Sequence, residues 1–472
     1  MDINKVTAVY FVGAGGIGMS ALIRYFLAKG KRVGGYDKTP SDLTEELKKE
    51  GADIHYEDNV ALIGEAFKSP DDTLVVYTPA VPESHTELTY FRAHGFEVMK
   101  RARVLGEITK SSRGLCVAGT HGKTTTSSML AHLLKQSPVD CNAFLGGILK
   151  NYESNLMLSD TSDFTVIEAD EFDRSFHWLT PYMAVITSAD PDHLDIYGTA
   201  EAYRESFEKF TSLIRPDGCL LIKKGINVTP RLQEGVKKYT YSVTEIADFY
   251  AENIRICDGN ITFDFVGPEI RIPDVELGVP VKVNIENGVA AMAIAWLNGV
   301  KPEDLKKGMA TFAGPRRRFD FHLKTDQVVL IDDYAHHPTE IAATLKAAKE
   351  MGRHRVICAF QPHRYSRTKL LQEEFSEAFI DADVLFFTDI YAAGESPIQG
   401  IDGTLIPNLV KRRFPDKPIN YVKNVEDLPK ELYKVIKPDD MLITMGAGNI
   451  YMAGEMLANL MKGKGLSSDY KK

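Results

Sequence analysis

The run Gly119-Thr120-His121-Gly122-Lys123-Thr124-Thr125-Thr126 holds the residue types that phosphate chemistry needs. Glycines let backbone N–H groups wrap a polyanion, a lysine neutralises charge near the β- and γ-oxygens, and a threonine hydroxyl can ligate Mg²⁺. Val117 stands where GxxxxGK[ST] has its outer glycine, so the run reads as a shortened phosphate loop for ATP. A ligand-free Gly-Lys-Thr turn is the bland alternative. Two acidic groups follow, Glu168-Ala169-Asp170-Glu171 and Asp190-Pro191-Asp192-His193-Leu194-Asp195. Mg²⁺ takes oxygen ligands, and a carboxylate at Glu168 suits a metal bridging two phosphates. Either cluster alone reads as a solvated face, and spacing does not decide which carboxylate meets a metal.

Three further groups carry possible chemistry. Gly13-x-Gly15-x-x-Gly18, with Gly16 and Ile17 between, suits a tight turn that brings backbone close to a diphosphate at a helix N-terminus. Asp37 follows 19 residues after Gly18, where an acid can accept from a ribose hydroxyl. An NAD site, a UDP-sugar site and an empty turn all fit. Arg316-Arg317-Arg318, after Gly314-Pro315, is either a solvated basic run or a linker arginine directed onto ATP. The segments Asp332-Asp333-Tyr334-Ala335-His336-His337-Pro338 and Gln361-Pro362-His363-Arg364-Tyr365-Ser366-Arg367-Thr368 each follow a strand-like run. Their arginines suit bidentate capture of an amino-acid carboxylate, while helix capping is the plain alternative. No cysteine or carboxylate completes a zinc set around the paired histidines at standard spacing.

These groups need strands to aim them. Residues 7–12 read as a strand, Met19 to Lys29 as a helix, and a second strand ends at Asp37, which makes a βαβ unit. Leu74–Tyr77 adds a strand. Leu115–Ala118 reads as a buried strand before the phosphate loop, with a helix from Lys123 to Lys135 and strands at Phe164–Ile167 and Ala184–Thr187. Residues 249–283 alternate in short runs, as a small antiparallel insertion would, before a helix from Glu286 to Leu297. Strands at Val328–Ile331, Val356–Phe360, Val384–Phe387 and Met441–Thr444 define a third unit. The expected fold is α/β in three domains: a Rossmann-like 1–108, a central ATPase-type 109–314 and a Rossmann-like 315–472.

Composition narrows the class. A chain of 472 residues, 44% hydrophobic and 26% charged, exceeds one ordinary core. No apolar run approaches the roughly 18 residues of a membrane span, so no membrane insertion is expected. The strand-like start leaves no room for a signal peptide. Five scattered cysteines without CxxC spacing fit a reducing cytoplasm. A formal net charge of −9 argues against a nucleic-acid partner.

Together these residues resemble the Mur ligases of peptidoglycan synthesis, over nearly the whole chain. The resemblance rests on Gly13 to Ser20, Gly119 to Thr126, Glu168 to Glu171, Asp192 to Asp195, Asn284-Ile285-Glu286-Asn287, Arg317-Arg318-Phe319 and Asp333 to Pro338. It implies an ATP- and Mg²⁺-dependent ligase that activates a carboxylate as an acyl phosphate, with a C-terminal domain that closes over the nucleotide. Lys123 would hold the γ-phosphate, with Gly119 to Thr125 around the phosphates, and Thr124, Glu168 and His193 would be the Mg²⁺ centres. Asn284 and Asn287 would meet adenine, and Arg318 and Asp333 the phosphates and ribose. Tyr334, His336, His363, Arg364 and Arg367 would receive the amino acid, and the Gly13–Gly18 loop would hold a UDP diphosphate. Sister ligases resemble HLDxHG followed by a lysine that becomes carbamoylated, whereas Phe207 occupies that place here. That and Gly15-Gly16-Ile17-Gly18-Met19 resemble the member acting on UDP-N-acetylmuramate and L-alanine, expected as a monomer or weak homodimer.

Overall fold

The described residues build three sheets, and the Gly13–Gly18 loop, the Gly119–Thr126 loop and the Tyr334–Pro338 segment each follow the C-terminal end of a parallel strand. A computed structural model describes residues 3, 5–257 and 260–463, apart from the side chain of Asp195. Met1, Asp2 and Asn4 of the N-terminal run lie outside the described residues. Contacts divide the chain into two compact units, Met1–Pro315 and Arg316–Lys472.

The first sheet orders its strands Asp53–His55, Arg32–Tyr36, Ala8–Val12, Thr73–Tyr77 and Glu97–Lys100, all parallel. Order reverses between Ala8–Val12 and Thr73–Tyr77, and the Gly13–Gly18 loop leaves the sheet at that switch point. Such a crevice is where doubly wound sheets bind ligands.

The second sheet has ten strands. Its centre is Arg113–Ala118, parallel to Pro181–Ile186 on one side and Phe164–Ala169 on the other. The expected antiparallel insertion is antiparallel, in Phe249–Cys257, Asn260–Gly267 and Ile270–Glu276, but it is no separate body. Tyr241 and Ser242 pair with Phe249 and Tyr250, so these strands continue the central sheet.

The first two sheets share one hydrophobic cluster, which runs from Val9, Phe11 and Phe26 through Phe144, Ile167 and Phe176 to Phe210. The expected seam at 108/109 falls inside the helix Arg101–Lys110. Asn155 ties the two together. Fully buried, it donates to Ile17 O at 2.6 Å and Ser20 Oγ at 2.9 Å, and accepts from Arg24 Nη1 at 2.8 Å.

The second unit orders its strands Asp320–Lys324, Val328–Asp333, Asp440–Met445, Arg355–Phe360, Val384–Phe387 and Ile419–Tyr421. The first is antiparallel and the rest are parallel. Among the described residues no helix is long and apolar enough to cross a membrane.

Each hydrogen bond lost at a buried site costs about 1 kcal/mol. Asn155→Ala is therefore expected to destabilise the first unit by about 2 kcal/mol. The midpoint of urea unfolding measures it, and an unchanged midpoint would remove Asn155 from the seam.

Candidate active site

The phosphate loop joins the buried strand Arg113–Ala118 to the helix Lys123–Lys135. Gly122 caps that helix with a left-handed φ of 81°. A Cβ there would also come within 2.7 Å of Asn287 Oδ1, so glycine is needed for both conformation and room. The strand on one side steadies the loop: Thr187 Oγ1 donates to His121 O at 2.5 Å, and His121 N donates to Ser188 Oγ at 2.8 Å. Thr120 Oγ1 lies 2.8 Å from the Tyr203 hydroxyl and donates to Asp190 O at 2.7 Å.

Lys123 does not project into water. Its Nζ donates to Gly119 O at 2.6 Å and Glu171 Oε1 at 2.8 Å, and stands 2.7 Å from Glu171 Oε2. The Glu171 side chain is only 2% exposed. Burial works against the lysine's charge, but Glu171, Asp170 and Glu168 together outweigh it and hold the ammonium above its ordinary value. Burial pushes the Glu171 carboxyl up to about 7.

Glu168 sits within the strand Phe164–Ala169, not after it, because its run of β-branched neighbours carries the extended backbone two residues further. Its Oε2 is buried with no hydrogen-bond partner. Such an oxygen costs free energy unless a cation or donor meets it. Space for the carboxylate comes from Gly146 on the strand Asn142–Leu149, where a Cβ would overlap it, at 2.6 Å from Glu168 Cδ. Gly147 next along is looser, its added Cβ lying 3.3 Å from Thr124 Cγ2. Thr124 is buried beside that strand. A partnerless carboxylate oxygen and a buried threonine, both oxygen donors, fit Mg²⁺. Among the described residues no three His, Cys, Asp or Glu side chains form a metal cage. Mg²⁺ commonly takes only one or two carboxylates, with phosphates and water completing its shell.

His193 caps the short helix Leu194–Tyr197 with φ 53° and packs edge-on to Phe172 at 5.1 Å. Asn284 and Asn287 are buried beneath the loop, Asn287 donating to Asn284 Oδ1 and accepting from Thr126 Oγ1, each at 3.1 Å. Phe207 is fully buried, edge-on to Phe176 at 5.2 Å, which leaves no place for a lysine. At the first switch point Asp37 serves the turn itself: Gly15 N donates to its Oδ2 at 2.6 Å.

In the second unit Asp333 also lies inside its strand, and both carboxylate oxygens hold backbone. Phe319 N donates at 2.7 Å and Ala335 N at 2.8 Å. Burial raises its carboxyl to about 6. The Arg318 guanidinium lies 5.1 Å from the Tyr334 ring, while Arg317 is spent on Asp332 at 3.3 Å and Gly446 O at 2.6 Å. His336 faces His363 with ring centres 5.9 Å apart, and Arg367 Nη1 lies 3.1 Å from His363 Nδ1. His363 stacks on Tyr391 at 5.7 Å, and Arg364 N donates to Tyr391 O at 2.9 Å. The strand ends thus gather Tyr334, His336, His363 and Arg367, the set that the family resemblance implies, and add Tyr391, which the sequence did not signal.

Gly146-Gly147 was also missed, though a glycine pair inside an apolar strand run marks close approach. Gly446-Ala447-Gly448 had a similar signal: a Cβ on Gly446 would come within 2.7 Å of Gln361 O.

Comparison with known proteins places this geometry. Residues 8–113 match the Mur ligase family catalytic domain, 117–295 the Mur ligase middle domain and 317–448 the Mur ligase glutamate ligase domain. The chain belongs to the Mur ligase family. It is 83% identical over 453 residues to the UDP-N-acetylmuramate–L-alanine ligase of Parabacteroides distasonis, covering 95% of this chain and 96% of that protein. It is 46% identical to the ligase of the same name from Flavobacterium johnsoniae, covering 98% and 99%. The crystal structure of the UDP-N-acetylmuramate-alanine ligase MurC from Thermotoga maritima superposes with a TM-score of 0.82 at 26% identity, covering 97% of this chain and all of that one.

Two outcomes follow from this geometry. Gly146→Ala should displace Glu168 and cut ligase turnover at least tenfold, while Gly147→Ala, whose Cβ needs its neighbours to give only slightly, costs less; equal rates would refute the packing argument. Burial pushes His336 down to about 4 and His363 to about 3. Unfolded histidine takes its proton near 6.5, so stability from the neutral rings is full above that pH and is lost as pH falls through about 4. Replacing both by Gln should flatten the fall in unfolding midpoint between pH 7 and pH 5 (about the range set by these values); an unchanged fall would contradict it.

Proposed function

We propose that this chain joins L-alanine to the lactyl carboxylate of UDP-N-acetylmuramate, using ATP, in peptidoglycan precursor synthesis in the cytoplasm. The observation that carries the reading is Lys123, largely shielded where the phosphate loop leaves the central parallel strands and kept charged by Glu171 and its acidic neighbours. The identity to alanine-adding ligases supports the choice of substrates.

Lys123 and the N–H groups of Gly119 to Thr125 hold the triphosphate, and the Gly13–Gly18 loop holds the UDP diphosphate. Thr124, Glu168 and His193 would hold Mg²⁺, which would supply neutralisation of phosphate charge. The lactyl carboxylate oxygen attacks the γ-phosphorus, the bond to ADP breaks, and an acyl phosphate forms. Lys123 offsets the charge gathering on the transferring oxygens. The neutral amine of alanine then attacks the acyl carbon and phosphate leaves. Arg364 and Arg367 suit the amino-acid carboxylate. His336, kept neutral by burial, suits a hydrogen bond that orients the incoming amine. Asn284 and Asn287 are assigned to adenine, and Arg318, Asp333 and Tyr334 to the nucleotide and amino acid as in the family pattern.

Phosphate release on a panel of amino acids, with UDP-N-acetylmuramate present or omitted, tests the reading. Release should need both the sugar and alanine. Lys123→Ala should lower turnover by about 10³ or more, since phosphoryl transfer depends on such charge. Glu171, already prone to hold a proton, can neutralise itself in that variant, so it should still fold. Near-normal release from a folded Lys123→Ala protein would end the assignment.

A further inference from the structure

Two helices of the first unit begin together, and neither has an acid in its first turn. They are Ile17–Ala28, capped by Gly16 without a side-chain hydrogen bond, and Arg101–Lys110, capped in the same bare way by Lys100. Helix N-termini carry partial positive charge and favour anions. Here they meet cations. The Arg101 guanidinium lies flat against Gly18: a Cβ on that glycine would come within 2.9 Å of Arg101 Cζ and 3.2 Å of its Cδ. Lys100 stands at the start of the second helix.

The carboxylates that offset this charge come from the central domain. Lys100 Nζ pairs with Asp173 at 2.7 Å, and Arg101 Nη2 reaches Asp170 at 3.4 Å. The second pair is long for a charge-assisted hydrogen bond, which normally runs about 2.7–2.9 Å. It is also partly wet, with side chains 24% and 35% exposed. The segment that brings these acids over is strained, with Asp173 at φ 52° and Arg174 at φ 54°. A guanidinium against a glycine at a helix start, poorly matched by a stretched carboxylate, is half of an anion site.

We propose that Arg101 binds the diphosphate of the nucleotide sugar, giving up Asp170 for it. This rests on the reading above that the Gly13–Gly18 loop receives a UDP-sugar. The planar fork of Arg101 grips two diphosphate oxygens while loop N–H groups take others. Asp170, one of the carboxylates acting on Lys123, is then left without its guanidinium partner. A side chain at Gly18 would shift the fork from its present seat on the helix end.

Calorimetric titration of the full-length protein with UDP and with UDP-N-acetylmuramate tests this. Arg101→Gln should raise both Kd values about tenfold or more. Arg101→Lys should recover only part of that, lacking the fork. Asp170→Asn keeps the acceptor for Phe172 N, which donates to Asp170 Oδ1 at 3.1 Å, but releases Arg101, so it should tighten both ligands. A purely structural Arg101–Asp170 link predicts weaker binding from Asp170→Asn, so tightening separates the two roles. Arg101→Gln affinities within about twofold of the parent, or an Asp170→Asn protein that fails to tighten, would overturn the proposal. A parent protein that binds neither UDP nor the sugar would instead overturn the reading it rests on.

Discussion

Placing an ammonium group out of water is costly, and the phosphate loop of this chain is organised around doing so. Lys123 is held by both oxygens of a nearly inaccessible Glu171 and by the carbonyl of Gly119. Removing Glu171 from such a pair leaves an uncompensated ammonium, which typically costs about 3–5 kcal/mol, whereas Glu171 left without the lysine can take up a proton. The loop therefore keeps its shape only while strand, helix and acidic segment stay in register. Gly122 turns the chain into the helix, Thr187 and Ser188 tie its carbonyl and N–H groups, and the central strands bring Glu168 and Glu171 to the same edge. What the pair secures is a fixed positive point whose charge does not depend on a visiting phosphate.

The same logic shapes the rest of the first unit. A single apolar cluster runs through both of its sheets, and Asn155 joins their backbone polar groups, so the glycine loop of one and the phosphate loop of the other belong to one compact body. Arg101 and Lys100 lie where the two meet.

Much of this was legible in the residues. Strand, glycine turn and helix at Gly13–Gly18 and at Gly119–Thr126 were plain because backbone wrapping of phosphates needs small residues in a fixed order. The helix Lys123–Lys135 and the strand Val384–Phe387 fall where apolar patterning put them. Glu168, Asp332 and Asp333 read as loop residues, since acids have poor strand propensity, yet each lies in the last two positions of a strand. Tertiary partners decide there: Asp333 is buried because two backbone N–H groups point at it. Asp37 read as a ribose acceptor, and in the structure one of its oxygens braces Gly15. Short edge strands such as Asp53–His55 and Ile419–Tyr421 left no periodic trace. The use of Gly146 to house a carboxylate was invisible for a different reason, since its partner lies on another strand.

The central claim is that the carboxylate on the sugar takes the terminal phosphoryl group from the nucleotide beside Lys123. Turnover of UDP-N-acetylmuramate carrying oxygen-18 in its lactyl carboxylate tests it most directly. Mass spectrometry of the product phosphate should find one labelled oxygen in each phosphate formed with alanyl product. Phosphate free of label, alongside normal amide formation, would contradict an acyl phosphate and with it the role assigned to the buried lysine.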